Sequence, residues 1–547
     1  MIRNPILPGF NPDPSICRVG PDYYIATSTF EWYPGVQIHH SKDLVNWTLV
    51  GRPLTRASQL DMRGNPDSCG IWAPCLSHAD GQFWLVYTDV KRYDGNFKDT
   101  HNYIVTAKDI AGPWSEPMYA NSSGFDPSLY HDDDGRKWFV NMVWNYRTAS
   151  IGGNPRSPAF DGILLQEWDA KAGKLVGPVK NIFRGTPLGL VEGPHLHKRN
   201  GWYYLTTAEG GTAYNHAVTM ARSRTIDGPY ELHPLVHPIT SKDAPEAPLQ
   251  RAGHGQIVET PEGLTYHTHL CGRPLPGTRM SPLGRETAIQ KCVWKDDGWL
   301  YLEDGGNVPF VEVKSPDNTV MPKAHVDVRR DFSKVKTLPI EFQWLRTPHS
   351  ERLFTLTGSA LRLHGRESIG SWFEQSLVAR RQEDFAFRAE TSVSFAPDTY
   401  QQVAGLTYYY NRFKFHFIAV TWHETMGRVL TMMSCPGDYP DGRMEFPLAQ
   451  PLALPGTGPV KLAASVDCAK LQFAYDAGGG WKDLGPVLDA SVISDEGGRG
   501  AHGSFTGAFI GMLCFDTSGA AKPADFTYFD YVTPAQAGAR SSSARPG

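Results

Sequence analysis

Asn200-Gly201-Trp202-Tyr203-Tyr204-Leu205-Thr206 reads as a turn running into a strand. Asn-Gly takes the positive φ angles of a tight hairpin, and the aromatic and β-branched residues behind it suit a pleated sheet. The same reading applies four more times. Gly20-Pro21-Asp22 precedes Tyr23-Tyr24-Ile25-Ala26-Thr27, and Asp80-Gly81 precedes Phe83-Trp84-Leu85-Val86-Tyr87-Thr88. Asp134-Gly135 precedes Lys137-Trp138-Phe139-Val140, and Glu262-Gly263 precedes Leu264-Thr265-Tyr266-His267-Thr268. The spacing, about 55–65 residues, suits blades of four strands, and a ring of blades is one way for antiparallel strands to manage their edges. Five repeats predict a five-bladed β-propeller.

Three repeats carry a second shared element, Ser41-Lys42-Asp43-Leu44-Val45-Asn46-Trp47, Ala107-Lys108-Asp109-Ile110-Ala111-Gly112-Pro113-Trp114 and Ser223-Arg224-Thr225-Ile226-Asp227-Gly228-Pro229-Tyr230. It reads as the turn into an outer strand. About ten to twelve residues upstream of each repeat strand lies an aligned set, NPDPSI from Asn11, GIWAPCL from Gly70, GFDPSL from Gly124, VEGPHL from Val191 and AGHGQI from Ala252. In a propeller the first strand of every blade lines the axis, so equivalent positions converge on one channel mouth. The residues read at that offset are Asp13, Trp72, Asp126, Glu192 and His254.

The repeat is lost after Met321-Pro322-Lys323, so the chain of 547 residues divides into a propeller over 1–322 and a second domain over 323–534. Alternating strands such as Arg388–Phe395, Ala404–Tyr410 and Phe526–Tyr531 predict a β-sandwich there. Residues 535–547, AQAGARSSSARPG, have nothing to bury and read as a disordered tail. The fold class is all-β.

The charge balance, 53 Lys+Arg against 57 Asp+Glu, gives no electrostatic footprint for nucleic acid. No apolar run approaches the roughly 18 residues of a membrane span, so no membrane partner is expected. The start of the chain lacks the apolar core of a secretory signal, and eight cysteines without CxxC pairs read as reduced thiols; together these predict the cytoplasm. His131-Asp132-Asp133-Asp134-Gly135 lacks the ligand spacing of an EF-hand and reads as a hairpin turn. His195-Leu196-His197 alternates across a strand with no third metal ligand nearby in sequence.

Taken singly, each hub residue has a structural reading: Asp before Pro-Ser forms turns, Trp72 packs a core, and a buried His254 satisfies its own hydrogen bonds. Their recurrence at one offset favours chemistry. Three carboxylates in one pocket raise one another's pKa, and glycoside hydrolysis needs such a set, one carboxyl protonated for the leaving oxygen and one ionised for water or carbon. An aromatic face such as Trp72 can pack against a sugar ring.

These residues resemble a known family. Asn4-Pro5-Ile6-Leu7-Pro8-Gly9-Phe10-Asn11-Pro12-Asp13-Pro14-Ser15, Ser28-Thr29-Phe30-Glu31-Trp32-Tyr33-Pro34-Gly35, Phe125-Asp126-Pro127-Ser128, Glu192-Gly193-Pro194, Gly284-Arg285-Glu286-Thr287 and Phe505-Thr506-Gly507-Ala508-Phe509 closely resemble the β-xylosidases of glycoside hydrolase family 43. The resemblance implies a five-bladed propeller followed by a jelly-roll, concanavalin-like β-sandwich, and an inverting mechanism. Asp13 would be the general base, Glu192 the general acid, and Asp126 the residue that orients the acid and tunes its pKa. Arg285 would bind sugar hydroxyls; Trp72, Phe30 and Phe125 would wall the terminal xylose; Trp144 would line the leaving-group side; and Phe505 would close the pocket. In some members the residue matching His254 helps bind a divalent cation, calcium, in the channel, and in others it only hydrogen-bonds; both stay open, and no cofactor is required.

The expected activity is release of D-xylose from the non-reducing ends of β-1,4-xylo-oligosaccharides, with secondary α-L-arabinofuranosidase activity. The alternatives are an enzyme that is mainly an arabinofuranosidase and a non-catalytic sugar-binding propeller. The family also implies a homo-oligomer, dimer or tetramer.

Overall fold

A computed structural model of the chain describes residues 1–147, 159–317, 319, 329–498 and 504–534. It divides into two units, one of Met1–Leu60, Cys69–Arg273 and Arg285–Lys323, the other of Asp61–Ser68, Pro274–Gly284 and Ala324–Gly547. The expected boundary at 322/323 and the tail at 535–547 lie outside the described residues.

Among the described residues, the first unit holds five antiparallel sheets of four or five strands in chain order. The first consists of Ser15–Val19, Asp22–Thr27, Gln37–Ser41 and Thr48–Gly51, and the second of Gly70–Ala79, Gln82–Arg92, Asp99–Ala107 and Met118–Asn121. The third consists of Ser128–His131, Lys137–Trp144, Phe160–Asp169 and Lys174–Phe183, and the fourth of Glu192–Arg199, Trp202–Glu209, Ala217–Ser223 and Glu231–Leu232 with Ile239–Thr240 paired alongside. The fifth consists of Gln250–Gly253 and Ile257–Glu259 on Thr265–Gly272, then Glu286–Trp294 and Leu300–Leu302. Every repeat strand read from the sequence is the second strand of its sheet. The turns before them use left-handed backbone: Asp80 and Gly81 have φ of 54° and 70°, and Asn200 and Gly201 have 49° and 73°, as a two-residue hairpin with the right-handed strand twist demands.

Hydrogen bonds link each sheet to the next. Ser15 Oγ accepts from the Leu76 amide at 3.0 Å, Ser77 Oγ meets His131 Nε2 at 2.9 Å, and Ser128 Oγ donates to Pro194 O at 2.6 Å. The Ala252 amide donates to Ser241 Oγ at 3.3 Å, and Ser15 Oγ donates to Gln256 Oε1 at 2.8 Å, which returns the circuit to the first sheet. The start of the chain fastens the closure. Ile2–Arg3 pairs with Glu312–Val313, and Asn4 Nδ2 donates to Ile289 O at 2.8 Å on the fifth sheet. Ile2, Leu7, Ile16, Ile25, Val258, Tyr266 and Ile289 bury a shared apolar cluster between these sheets, each worth roughly 1.5–3 kcal/mol when fully buried.

The second unit packs two antiparallel sheets. One runs in the order Phe354–Leu356, Leu361–His364, Pro523–Val532, Ala386–Ser394, Val460–Asp467, Lys470–Asp476 and Lys482–Asp489. The other runs Ser376–Arg381, Phe509–Asp516, Gln402–Asn411, Lys414–His423, Gly427–Pro436 and Leu452–Ala453. Inward residues of both, among them Leu361, Val393, Leu406, Ile418, Leu462, Ile510 and Phe526, form one core, the plan of a β-sandwich. Among the described residues, no helix is long and apolar enough to cross a membrane.

Candidate active site

Each sheet of the first unit carries a left-handed residue within or beside its inner strand. φ is +56° at Asp13, +31° at Ala73, +52° at Asp126, +56° at Gly193 and +40° at His254. Asp13, Ala73, Asp126 and Gly193 each precede a proline. This register corrects the sequence alignment. Trp72 and Glu192 lie one residue upstream of the position held by Asp13, Asp126 and His254, and both are followed by irregular pairing, between Trp72 and Cys75 and between Glu192 and His195. Such bulges re-aim side chains at the rims of sheets. Glycine is required at 193 for a second reason: a Cβ there would meet the His254 ring at 2.9 Å.

Asp13 is buried. Its Oδ1 lies 3.1 Å from Arg285 Nη1 and 3.7 Å from His254 Nδ1, and its Oδ2 accepts from Ser28 Oγ at 2.6 Å. Burial pushes the carboxyl up, but the Arg285 guanidinium, His254 and the Ser28 hydroxyl outweigh it, and the pKa falls below the ordinary value. Asp126 goes the other way. Burial, then the neighbouring charges of Glu192 and Asp13, push it well up, although its Oδ2 accepts from the Gly193 amide at 3.1 Å. Burial and the charge of Asp13 raise Glu192 to about 8. The site therefore holds one carboxylate ionised and another protonated at neutral pH, within reach of one guanidinium.

Four of the expected aromatic residues, Phe30, Trp72, Phe125 and Trp144, pack ring to ring in that order. Arg285 lies over the Phe30 ring at 5.3 Å; Phe30 and Trp72 have ring centroids 5.8 Å apart, Trp72 and Phe125 5.2 Å, and Phe125 and Trp144 6.5 Å. Phe505 belongs to the second unit, where its amide donates to Ser68 Oγ at 3.2 Å. His254 is buried and its pKa lowered by that burial, so it is a neutral imidazole at neutral pH. Among the described residues, no group of three or more His, Cys, Asp or Glu side chains could hold a metal ion. The imidazoles of His254 and His195, 6.3 Å apart, do not fit the roughly six to eight oxygens a calcium ion takes.

Three contributors escaped the sequence reading. Ser28 stands at the head of a quoted motif and hydrogen-bonds Asp13. Thr212 Oγ1 accepts from Arg285 Nη1 at 3.0 Å. Lys98 has its Nζ 4.4 Å over the Trp144 ring and feels the charge of Glu192, while burial lowers its pKa to about 8. Ser28 could have been found from its motif; Thr212 and Lys98 lie in no repeated element, and nothing in the sequence marks them.

Residues 2–300 match the family model for glycosyl hydrolases family 43, and residues 329–532 match that for a beta xylosidase C-terminal concanavalin A-like domain. The chain is 60% identical over 533 residues to Xylosidase/arabinosidase 43B of Humicola insolens, covering 97% of each chain. It is 48% identical over 548 residues to Beta-xylosidase of Bacillus subtilis, covering 97% of this chain and 99% of that one. The crystal structure of xylan beta-1,4-xylosidase from Bacillus halodurans matches with a TM-score of 0.93 and 51% identity, covering 97% of this chain and 100% of that one.

Proposed function

The chain belongs to glycosyl hydrolases family 43, and from that premise we propose that it is an exo-acting β-xylosidase, releasing D-xylose from the non-reducing ends of β-1,4-xylo-oligosaccharides with inversion of configuration. The opposed electrostatics of Asp13 and Glu192 carry this reading. Asp13, ionised, takes a proton from water as the water oxygen attacks the anomeric carbon. Glu192, protonated, gives its proton to the glycosidic oxygen as that bond breaks. Asp126 orients the acid through the amide of Gly193, the residue after Glu192. Arg285 keeps Asp13 charged and is placed to bind sugar hydroxyls; Phe30, Trp72 and Phe125 hold the terminal ring, and Trp144 lies toward the leaving group.

Secondary α-L-arabinofuranosidase activity belongs to the same proposal, supported by the double name of the Humicola insolens relative. Action in the cytoplasm, as a dimer or tetramer and within xylan breakdown, is also proposed; the eight free cysteines fit a reducing compartment.

Leaving-group chemistry tests the roles. Glu192→Gln is expected to lower kcat/KM on xylobiose by about 10²–10⁴-fold, and far less on 2,4-dinitrophenyl β-xyloside, whose leaving group needs no proton. Asp13→Asn is expected to lower both. Equal losses on the two substrates for Glu192→Gln would remove it as the acid.

A further inference from the structure

Residues 184–191 join Lys174–Phe183, the last strand of the third sheet, to the strand that opens with Glu192. Their path turns tightly, with φ of +79° at Gly185, +76° at Gly189 and +57° at Leu190. One buried carboxyl fastens this turn. Glu209 closes the neighbouring strand Trp202–Glu209, in which Ala208 pairs with Glu192, and it is wholly shielded from solvent. Its Oε1 accepts from the Thr186 amide at 2.6 Å, and its Oε2 accepts from Thr186 Oγ1 at 2.5 Å and from Thr219 Oγ1 at 2.8 Å. The Gly210 amide adds a bond to Gly189 O at 2.8 Å. The fit is close: a Cβ on Gly185 would come within 2.5 Å of Glu209 Oε1.

We propose that Glu209 is a positioning residue for the general acid, fixing the turn from which Glu192 departs. The inference rests on the β-xylosidase reading, with Glu192 as the acid. Asp126 holds the acid from the downstream side, through the Gly193 amide; Glu209 holds it from upstream, through Thr186. Burying a carboxyl is costly, and its hydrogen bonds offset that cost only while Thr186 stays in place. Burial of Glu209 therefore enforces the turn. A proton donor has to meet the glycosidic oxygen at hydrogen-bond distance, and a misplacement of about 1 Å can lower a rate by about 10²-fold. Glu209 acts through the backbone and leaves the sugar to other groups. Its effect belongs in the step that needs the proton.

The test compares kcat/KM on xylobiose, whose leaving sugar needs a proton, with kcat/KM on 2,4-dinitrophenyl β-xyloside, whose leaving group does not. The wild type, Glu209→Gln, Thr186→Val and Glu192→Gln are each assayed with both substrates on one preparation, so a lowered folded fraction cancels in the ratio. Glu209→Gln keeps the shape but puts an NH2 in place of one oxygen acceptor; Thr186→Val removes the Oγ1 bond, spares the amide, and carries the comparison where Glu209→Gln does not fold. The xylobiose-to-aryl-xyloside ratio is expected to fall about three- to thirtyfold in Glu209→Gln, through kcat, by less in Thr186→Val, and furthest in Glu192→Gln. Equal losses on the two substrates in Glu209→Gln and Thr186→Val, beside a fallen ratio in Glu192→Gln, would overturn the proposal and leave Glu209 a structural group. An unchanged ratio in Glu192→Gln would instead overturn the acid assignment, and this inference with it.

Discussion

Arg285 separates the behaviour of carboxyls that share one pocket. With Nη1 3.1 Å from Asp13 Oδ1 and the whole side chain buried, it offsets the burial that would otherwise lift Asp13, and the Ser28 hydroxyl at 2.6 Å adds to the effect. Arg285→Gln leaves a buried carboxylate without its cation. The Asp13 pKa then rises, more of the base is protonated at any given acidic pH, and the acidic limb of the kcat/KM profile moves toward neutral pH. The pH profile of the variant checks this. A fall in rate with an unmoved limb would make Arg285 a sugar contact only. Asp13 itself was legible from the sequence because an Asp-Pro-Ser turn recurs at Asp126; Ser28 was overlooked although its motif was quoted, and Arg285, 272 residues away, entered only through the family resemblance.

At the scale of the element, the left-handed residue within or beside each inner strand decides where side chains point. Non-glycine residues held there cost on the order of 1–3 kcal/mol each and persist where the surroundings enforce them. Gly193 has the least freedom to change. Gly193→Ala brings a Cβ to 2.9 Å of the His254 ring at φ +56° and disturbs the amide that Asp126 accepts. The expected result is a loss of about 1–3 kcal/mol in stability, with a fall in kcat beyond what the lost folded fraction explains, measured by thermal denaturation and active-site-normalised kinetics. Wild-type kcat would show that the amide does not orient Glu192. Hairpin turns and aromatic strands are local, so all five repeats could be read from residue types. Trp72 and Glu192 were read one residue out of register because the reading followed the chemically suggestive side chains and not the proline that follows Asp13, Ala73, Asp126 and Gly193 alike.

In the whole molecule, ring closure makes the site. Asp13, Asp126, Glu192, His254 and Arg285 come from four different sheets and meet because the strands entering those sheets share an axis and because Ile2–Arg3 and Asn4 fasten the start of the chain to its fifth sheet. The turn-and-strand repeats from which the closure is built were legible in the sequence, because each is a local pattern. The partition was less so: Asp61–Ser68 and Pro274–Gly284 group with the second unit, and no composition change marks them. The central claim is a single displacement at the anomeric carbon by water activated at Asp13, with Glu192 protonating the leaving sugar. The measurement closest to it is the anomer of xylose released from xylobiose, followed by NMR before mutarotation. The account predicts α-xylose first. β-Xylose first, or intact xylobiose, would contradict it.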